Sequence, residues 1–307
     1  MSVLTAIVLG VIQGLTEFLP VSSSGHLVLF QKIFGIEEPA LLFDIMLHVG
    51  TLVAVFAVLW KDIWAILKKL CQPLTAYLIL ATIPTVIIAL ALRAPIEKLF
   101  ETGQFLGVCF LITAALLSAA ELLSRRAAAG GAAAADSGLK KPGEMNWLDA
   151  LAIGIMQAVA IIPGVSRSGA TLSGALSRRL NRDFAARFSF LLSIPAILGA
   201  AILQLKDVVK SGAASAAADA AASATDAASA AAASAADAAS AAGAASGGGI
   251  GIAAMIAGTA SAAIVGFFAV RLMLKIVREK SLWGFAIYTG ILGVLVLVDQ
   301  LVTRLVF

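Results

Sequence analysis

The sequence predicts an all-α polytopic membrane protein, with six transmembrane helices and two re-entrant helical hairpins in an inverted-topology repeat. Three observations lead there. Of the 307 residues, 61% are hydrophobic and 13% charged, against roughly 45–50% and about 25% in soluble domains. Six apolar runs approach the roughly 20 residues needed to cross a hydrocarbon core. Two further apolar stretches are broken at mid-length, and their breaks resemble each other.

In chain order, Val3–Phe18 is the first half of a broken stretch. It is followed by Leu19-Pro20-Val21-Ser22-Ser23-Ser24-Gly25-His26 and then Leu27–Phe34, giving a hairpin over about 3–35. Leu41–Trp60, Leu74–Leu92 and Gln104–Leu123 are the first three spans. The second hairpin, about 147–177, comprises Trp147–Ile162, then Pro163-Gly164-Val165-Ser166-Arg167-Ser168-Gly169-Ala170-Thr171, then Leu172–Leu176. Phe188–Leu205, Ile250–Val270 and Leu282–Val298 complete the spans. Neither half of a broken stretch is long enough to span. Non-helical backbone at membrane depth survives only where protein or water satisfies it, so each stretch reads as a hairpin that returns to its own side.

The chain therefore divides into a first repeat half (1–123), a cytoplasmic linker (124–146) and a second half (147–307). Residues 211–249 hold 23 alanines and no Leu, Ile, Val, Phe or Met, but include Asp219, Asp226 and Asp237. Alanine favours helix yet supplies little insertion energy. This stretch is expected to be a low-complexity periplasmic insert, partly helical or disordered.

Lys and Arg set the orientation. The stretches after the first, third and fifth spans and before the fourth carry 15, and the opposite side carries 6. The richer side is expected to be cytoplasmic, which makes the two hairpins enter from opposite faces. Gly10-Val11-Ile12-Gln13 aligns with Gly154-Ile155-Met156-Gln157, and the same offset aligns Val21–Gly25 with Val165–Gly169. Weak internal similarity with opposed entry marks an inverted repeat whose site lies near the midplane.

Composition also excludes function classes. The net charge of +4 sits in short patches between apolar runs, so it signals topology and not a nucleic-acid surface. Cys71 and Cys109 form no motif, which argues against a disulfide framework or a thiolate zinc site. No basic segment precedes the first apolar run, so no cleavable signal peptide is expected.

Ionisable side chains inside apolar segments are functional candidates by default; here they are Glu17, His26, Asp44, His48 and Arg167. Gln13 and Glu17 share a helix face at i, i+4. If Gly25 opens the second half-helix, Ser22, Ser23 and Ser24 lie at its N-terminus, where unpaired N–H groups and the helix dipole favour an anion. Ser166, Arg167 and Ser168 repeat this, with Thr171 one turn on, and Arg167 adds a planar fork suited to phosphate. Two such tips form a pocket for a phosphate or pyrophosphate. A serine could attack phosphorus, and His26 could protonate the leaving group. Glu17 and Gln13 could ligate a divalent cation, or Glu17 could be the base that activates the serine. Asp44 and His48 read as a polar pair at a helix end, with lining of the cavity as the alternative, Gln157 as a helix-contact residue, and Pro84 and Pro195 as kinks.

Gln13–His26 resembles the first signature of the bacterial undecaprenyl-diphosphate phosphatases of the bacitracin-resistance type, and Pro163–Thr171 resembles the second. The likeness runs from Leu4 to Leu305 except for the two Ala-rich inserts. The first acidic position of the family's Glu/Gln-x-x-x-Glu pattern is Gln13 here, leaving Glu17 as the main carboxylate. The resemblance implies hydrolysis of undecaprenyl diphosphate to the monophosphate, recycling the lipid carrier for peptidoglycan synthesis and conferring bacitracin resistance. It also implies a divalent cation, Mg²⁺ or Ca²⁺, and an inner-membrane site open to the periplasm. Carried over, Glu17, Ser23, His26 and Arg167 are catalytic. Ser22, Ser24, Ser166, Ser168 and Thr171 hold phosphate, and Glu17 and Gln13 are the metal ligands. Water attack with Ser23 only orienting phosphate fits the sequence equally. The rival is a polyprenyl-phosphate flippase or transporter, since opposed broken helices are also a transporter device. The expected partners are the polyprenyl lipid and the bilayer, with room for a homodimer.

Overall fold

Proline, glycine and hydroxyl residues punctuate the apolar runs into twelve helices in the computed structural model, which describes residues 1–36, 41–129, 139–229 and 251–307. They are α1 (Val3–Phe18), α2 (Ser23–Ile33), α3 (Leu41–Val58), α4 (Trp60–Lys68), α5 (Pro73–Ala91), α6 (Arg93–Thr102), α7 (Leu106–Ala129), α8 (Trp147–Val159), α9 (Arg167–Ser177), α10 (Arg182–Ser229), α11 (Ile252–Glu279) and α12 (Trp283–Val298). Five are long and apolar enough to cross a membrane, or six when α3 and α4 count as one bent span. Ile79, Ile83, Ile87, Ile264 and Ile291 are among many large apolar side chains that face outward. Such a coat fits lipid and not water.

Helix ends follow local chemistry. Leu19 precedes Pro20, whose ring disfavours a helical residue before it, and α1 stops at Phe18. Ser22 and Ser166 cap α2 and α9, each side chain accepting from the N–H three residues on, at Gly25 and Gly169. The boundaries refine three expectations. The first span ends at Val58, where the chain bends by 78° into α4. The second half-helix opens at Ser23, with Ser22 as its cap, instead of at Gly25. The second break is shorter than its sequence suggests, so Arg167 is the first residue of α9. The insert proves helical to Ser229. Its residues 230–249 and linker residues 130–138 lie outside the described residues.

The halves interlock. α1 packs chiefly on α11 and α8 on α5, so each broken helix leans on the opposite half, while α7 and α12 pack on each other. Small residues make these contacts close. A Cβ at Gly10 would fall 2.3 Å from the Gly258 carbonyl, and one at its sequence counterpart Gly154 would fall 2.4 Å from that of Ala81. A buried core then runs from Phe18 through Phe188, Leu192 and Met273, with Phe18 edge-on to Phe190 at 5.6 Å.

Ion pairs gather the basic segments at one end. Arg187 joins Asp62, Arg182 joins the buried Glu121, and Lys140 and Arg178 both bind the fully buried Asp149. At the other end Gln31 donates to Asp44, Lys32 lies over the Phe307 ring, and Gln300 donates to the Gly103 carbonyl.

Candidate active site

The two breaks meet. Ser168 Oγ donates to the Leu19 carbonyl at 3.1 Å, and the Gly164 N–H donates to Ser24 Oγ at 3.3 Å. Both tips rest on α7: a Cβ at Gly25 would strike the Phe110 ring, and one at Gly164 would strike Cys109 and Leu106. Gly164 also has φ +92°, which L side chains rarely adopt. Thr113 on α7 fixes the second tip from beneath, accepting from the Ser166 N–H at 2.9 Å.

Glu17 is at the centre. It lies in the last turn of α1, is 5% exposed, and is bound from both tips. Arg167 donates to Oε1. Ser23 Oγ donates to Oε2 at 2.6 Å, and Gln13 Nε2 donates to the same oxygen at 2.9 Å. A carboxylate withdrawn from water requires such partners, because an unpaired buried charge costs several kcal/mol. The Arg167 side chain retains 18% exposure against 3% for that of Glu17, so the pair has one open flank.

A further partner lies on that flank. His48 Nε2 is 3.9 Å from Glu17 Oε2. Its Nδ1–H donates to the Asp44 carbonyl at 2.7 Å, which leaves Nε2 as the ring nitrogen that faces the carboxylate. The expected Asp44–His48 pair is thus a backbone contact: the Asp44 carboxylate turns to Gln31, and the His48 ring turns to Glu17.

His26 has a different setting. Its Nδ1–H donates to the Ser22 carbonyl at 2.7 Å, and Nε2 accepts from the Tyr288 hydroxyl at 2.7 Å. The ring stacks on Tyr288 and meets Phe110 edge-on. Ser22 has φ +74°, a conformation that persists only when its surroundings hold it. His26 provides that hold.

The structure therefore brings Gln13, Glu17, Ser23 and Arg167 into one cluster and adds His48. Ser22, Ser24, Ser166 and Ser168 line the junction of the tips, largely engaged in capping and cross-tip bonds. Thr171 is fully buried and bonds to Ser189 and to the Arg167 carbonyl. Gln157, the counterpart of Gln13, donates to Thr85 on α5. Thr113 carries no signal in the sequence, and His48 is a candidate there only as a neighbour of Asp44: spacing shows which side chains share a helix face, but not which distant segment that face meets.

For a divalent cation the donor set is sparse. Among the described residues no group of three or more His, Cys, Asp or Glu could hold a metal ion. Gln13 Oε1, however, is buried without a hydrogen-bond partner beside the Glu17 carboxylate. One carboxylate and one amide oxygen fit an ion whose remaining ligands are water and substrate phosphate, as Mg²⁺ is commonly held.

The family described as bacitracin resistance protein BacA matches residues 6–295. The undecaprenyl-diphosphatase of Carboxydothermus hydrogenoformans is 43% identical over 295 residues, 96% of each chain. Undecaprenyl-diphosphatase 4 of Bacillus thuringiensis subsp. konkukian is 39% identical over 300 residues, 98% of each. The undecaprenyl-diphosphatase of Methanosphaera stadtmanae is 36% identical over 324 residues, covering 98% of this chain and 99% of that one.

Proposed function

The chain belongs to the bacitracin resistance protein BacA family, and from that premise we propose that it hydrolyses undecaprenyl diphosphate to undecaprenyl phosphate and inorganic phosphate. The reaction returns the lipid carrier to cell-wall synthesis, and bacitracin resistance follows from it. The observation that carries the reading is the Glu17 carboxylate, held between the Arg167 guanidinium of the second tip and the Ser23 hydroxyl of the first.

The topology we propose is six spans, α3, α5, α7, α10, α11 and α12, with α4 bent out of the first of them, and two re-entrant hairpins, α1–α2 and α8–α9, in halves 1–123 and 147–307. Opposed entry is supported by the contacts of α2 at the Asp44 end and of α8 at the basic end. With the basic end cytoplasmic, the chain sits in the inner membrane with its site reached from the periplasm. A shallow apolar crevice lined by Val28, Leu99, Phe105, Leu106 and Ile162 adjoins the second tip at Pro163.

The terminal phosphate would take Arg167 from Glu17, a charge-assisted exchange of carboxylate for phosphate. Glu17 then keeps Ser23 and accepts its proton as Oγ forms a bond to phosphorus. The P–O bond to the lipid monophosphate breaks as this bond forms. Water hydrolyses the phosphoserine, with Glu17 returning the proton to Ser23. Ser24 lies at the junction that the phosphate would enter, while Ser22, Ser166 and Ser168 hold the two tips in place around it. Thr171 fixes the first turn of α9 and so the Arg167 backbone, and His26 fixes Ser22. Glu17 and Gln13 would hold Mg²⁺ or Ca²⁺ together with the phosphate, and the ion would neutralise phosphate charge.

The test is phosphate release by detergent-purified protein given a long-chain polyprenyl diphosphate. Detergent abolishes transport across a bilayer and leaves hydrolysis intact. Release is expected, with phosphoserine at Ser23 trapped by rapid quench. Failure to release phosphate overturns the activity. Release without any phosphoserine overturns the nucleophile and leaves water attack.

A further inference from the structure

The bend after α3 builds a surface unconnected with the two tips. α4 turns 78° away from α3, so with α3 crossing the membrane α4 lies near its plane. Ile63 is buried in the core, and Asp62 pairs with Arg187 of α10 at 3.0 Å. These contacts pin one face and consume the only carboxylate of the helix. The opposite face is free and of uniform character. Trp60 and Trp64, 53% and 46% exposed, stack at 5.5 Å, and Lys68 Nζ lies 5.5 Å from the Trp64 ring centre. Trp60, Trp64 and Lys68 thus form a stripe at i, i+4, i+8. Lys61 and Lys69, both exposed, add charge, and Leu67 adds apolar surface.

Tryptophan beside lysine on an in-plane helix is the composition of a membrane interface. A zwitterionic surface would satisfy the tryptophans, but three lysines whose one carboxylate neighbour on α4, Asp62, is turned to Arg187 call for net negative charge. We infer that α4 is a binding site for anionic phospholipid headgroups of the leaflet at the basic end. This rests on the transmembrane reading alone and not on the hydrolytic mechanism.

The test uses the full chain carrying W147F and W283F, so that Trp60 and Trp64 are the only tryptophans. The protein is reconstituted into phosphatidylcholine vesicles containing equal fractions of either dibrominated phosphatidylglycerol or dibrominated phosphatidylcholine. Bromine quenches indole on contact, and the ratio of the two gives the headgroup preference. Each lysine near an anionic surface is worth about fivefold in association. A several-fold preference for phosphatidylglycerol is therefore expected, collapsing to unity in K61Q/K68Q/K69Q while quenching by phosphatidylcholine persists. Equal quenching in the unsubstituted chain, or a preference that survives the triple substitution, overturns the proposal. If the triple variant does not fold, salt decides instead. At about 0.5 M, where screening acts within roughly 4–5 Å, the unsubstituted chain must lose most of its preference, and retention overturns the proposal. Phosphate release measured on the same samples reports the hydrolytic reading separately.

Discussion

The two tips start from similar sequence and are used differently. In the first, Gln13 turns inward and donates to Glu17, and Ser23 does the same. In the second, Gln157 turns outward to Thr85, and Ser166 and Ser168 are spent on capping and on the Leu19 carbonyl. Among the described residues of this tip, Arg167 is the one that reaches across to Glu17. In the proposed reaction one tip carries the proton-transferring and nucleophilic groups, and the other carries a single charge on a rigid mount. Two similar breaks thus meet at one place, while their side-chain chemistry differs.

This division can be broken by substitution. The largest effect is expected at Glu17. Glu17→Gln keeps the shape and removes the base, so phosphate release should fall by about 10³-fold, within the usual range for a general base. Activity within tenfold of the parent would remove Glu17 from the chemistry. Arg167→Lys retains charge but loses the fork, and kcat/KM should drop about 10²-fold. An unchanged value would mean that Arg167 merely neutralises Glu17.

Smaller effects sharpen the contrast. Ser23→Ala should lower kcat by two or more orders of magnitude, on the scale of a lost catalytic group. Ser168→Ala, a mount residue, should cost about 1 kcal/mol of stability and only a few-fold in rate. Equal losses at the two serines would erase the distinction. Thr113→Val strips the acceptor from the buried Ser166 N–H and should destabilise by about 1–3 kcal/mol, read as a lower unfolding temperature in detergent. His48→Ala should reduce turnover about tenfold, below the roughly 10²–10⁴-fold of a group that itself transfers the proton.

Much of this was legible beforehand. The apolar runs, the two breaks and the basic asymmetry are one-dimensional signals, and Gln13, Glu17 and Arg167 stood out as polar groups in apolar surroundings. What the sequence withheld depends on three-dimensional approach. His48 looked tied to Asp44 because they are one turn apart, yet its ring meets a carboxylate 31 residues earlier. Thr113 is an ordinary span threonine until the second tip settles on it. The bend at Leu59 follows from Ile63 and Asp62 docking sideways on the core and on Arg187, which no periodicity announces.

The crossed packing of α1 on α11 and α8 on α5 bears on how the protein is made. The Gly10 face of α1 has its partner only once residues 258–261 exist, which are synthesised some 250 positions later. During insertion the first hairpin must wait, sheltered by lipid or by the insertion machinery. Neither half expressed alone can assemble the Glu17–Arg167 pair. Competence for turnover therefore arrives in a single late step, when the end of the chain closes over its beginning.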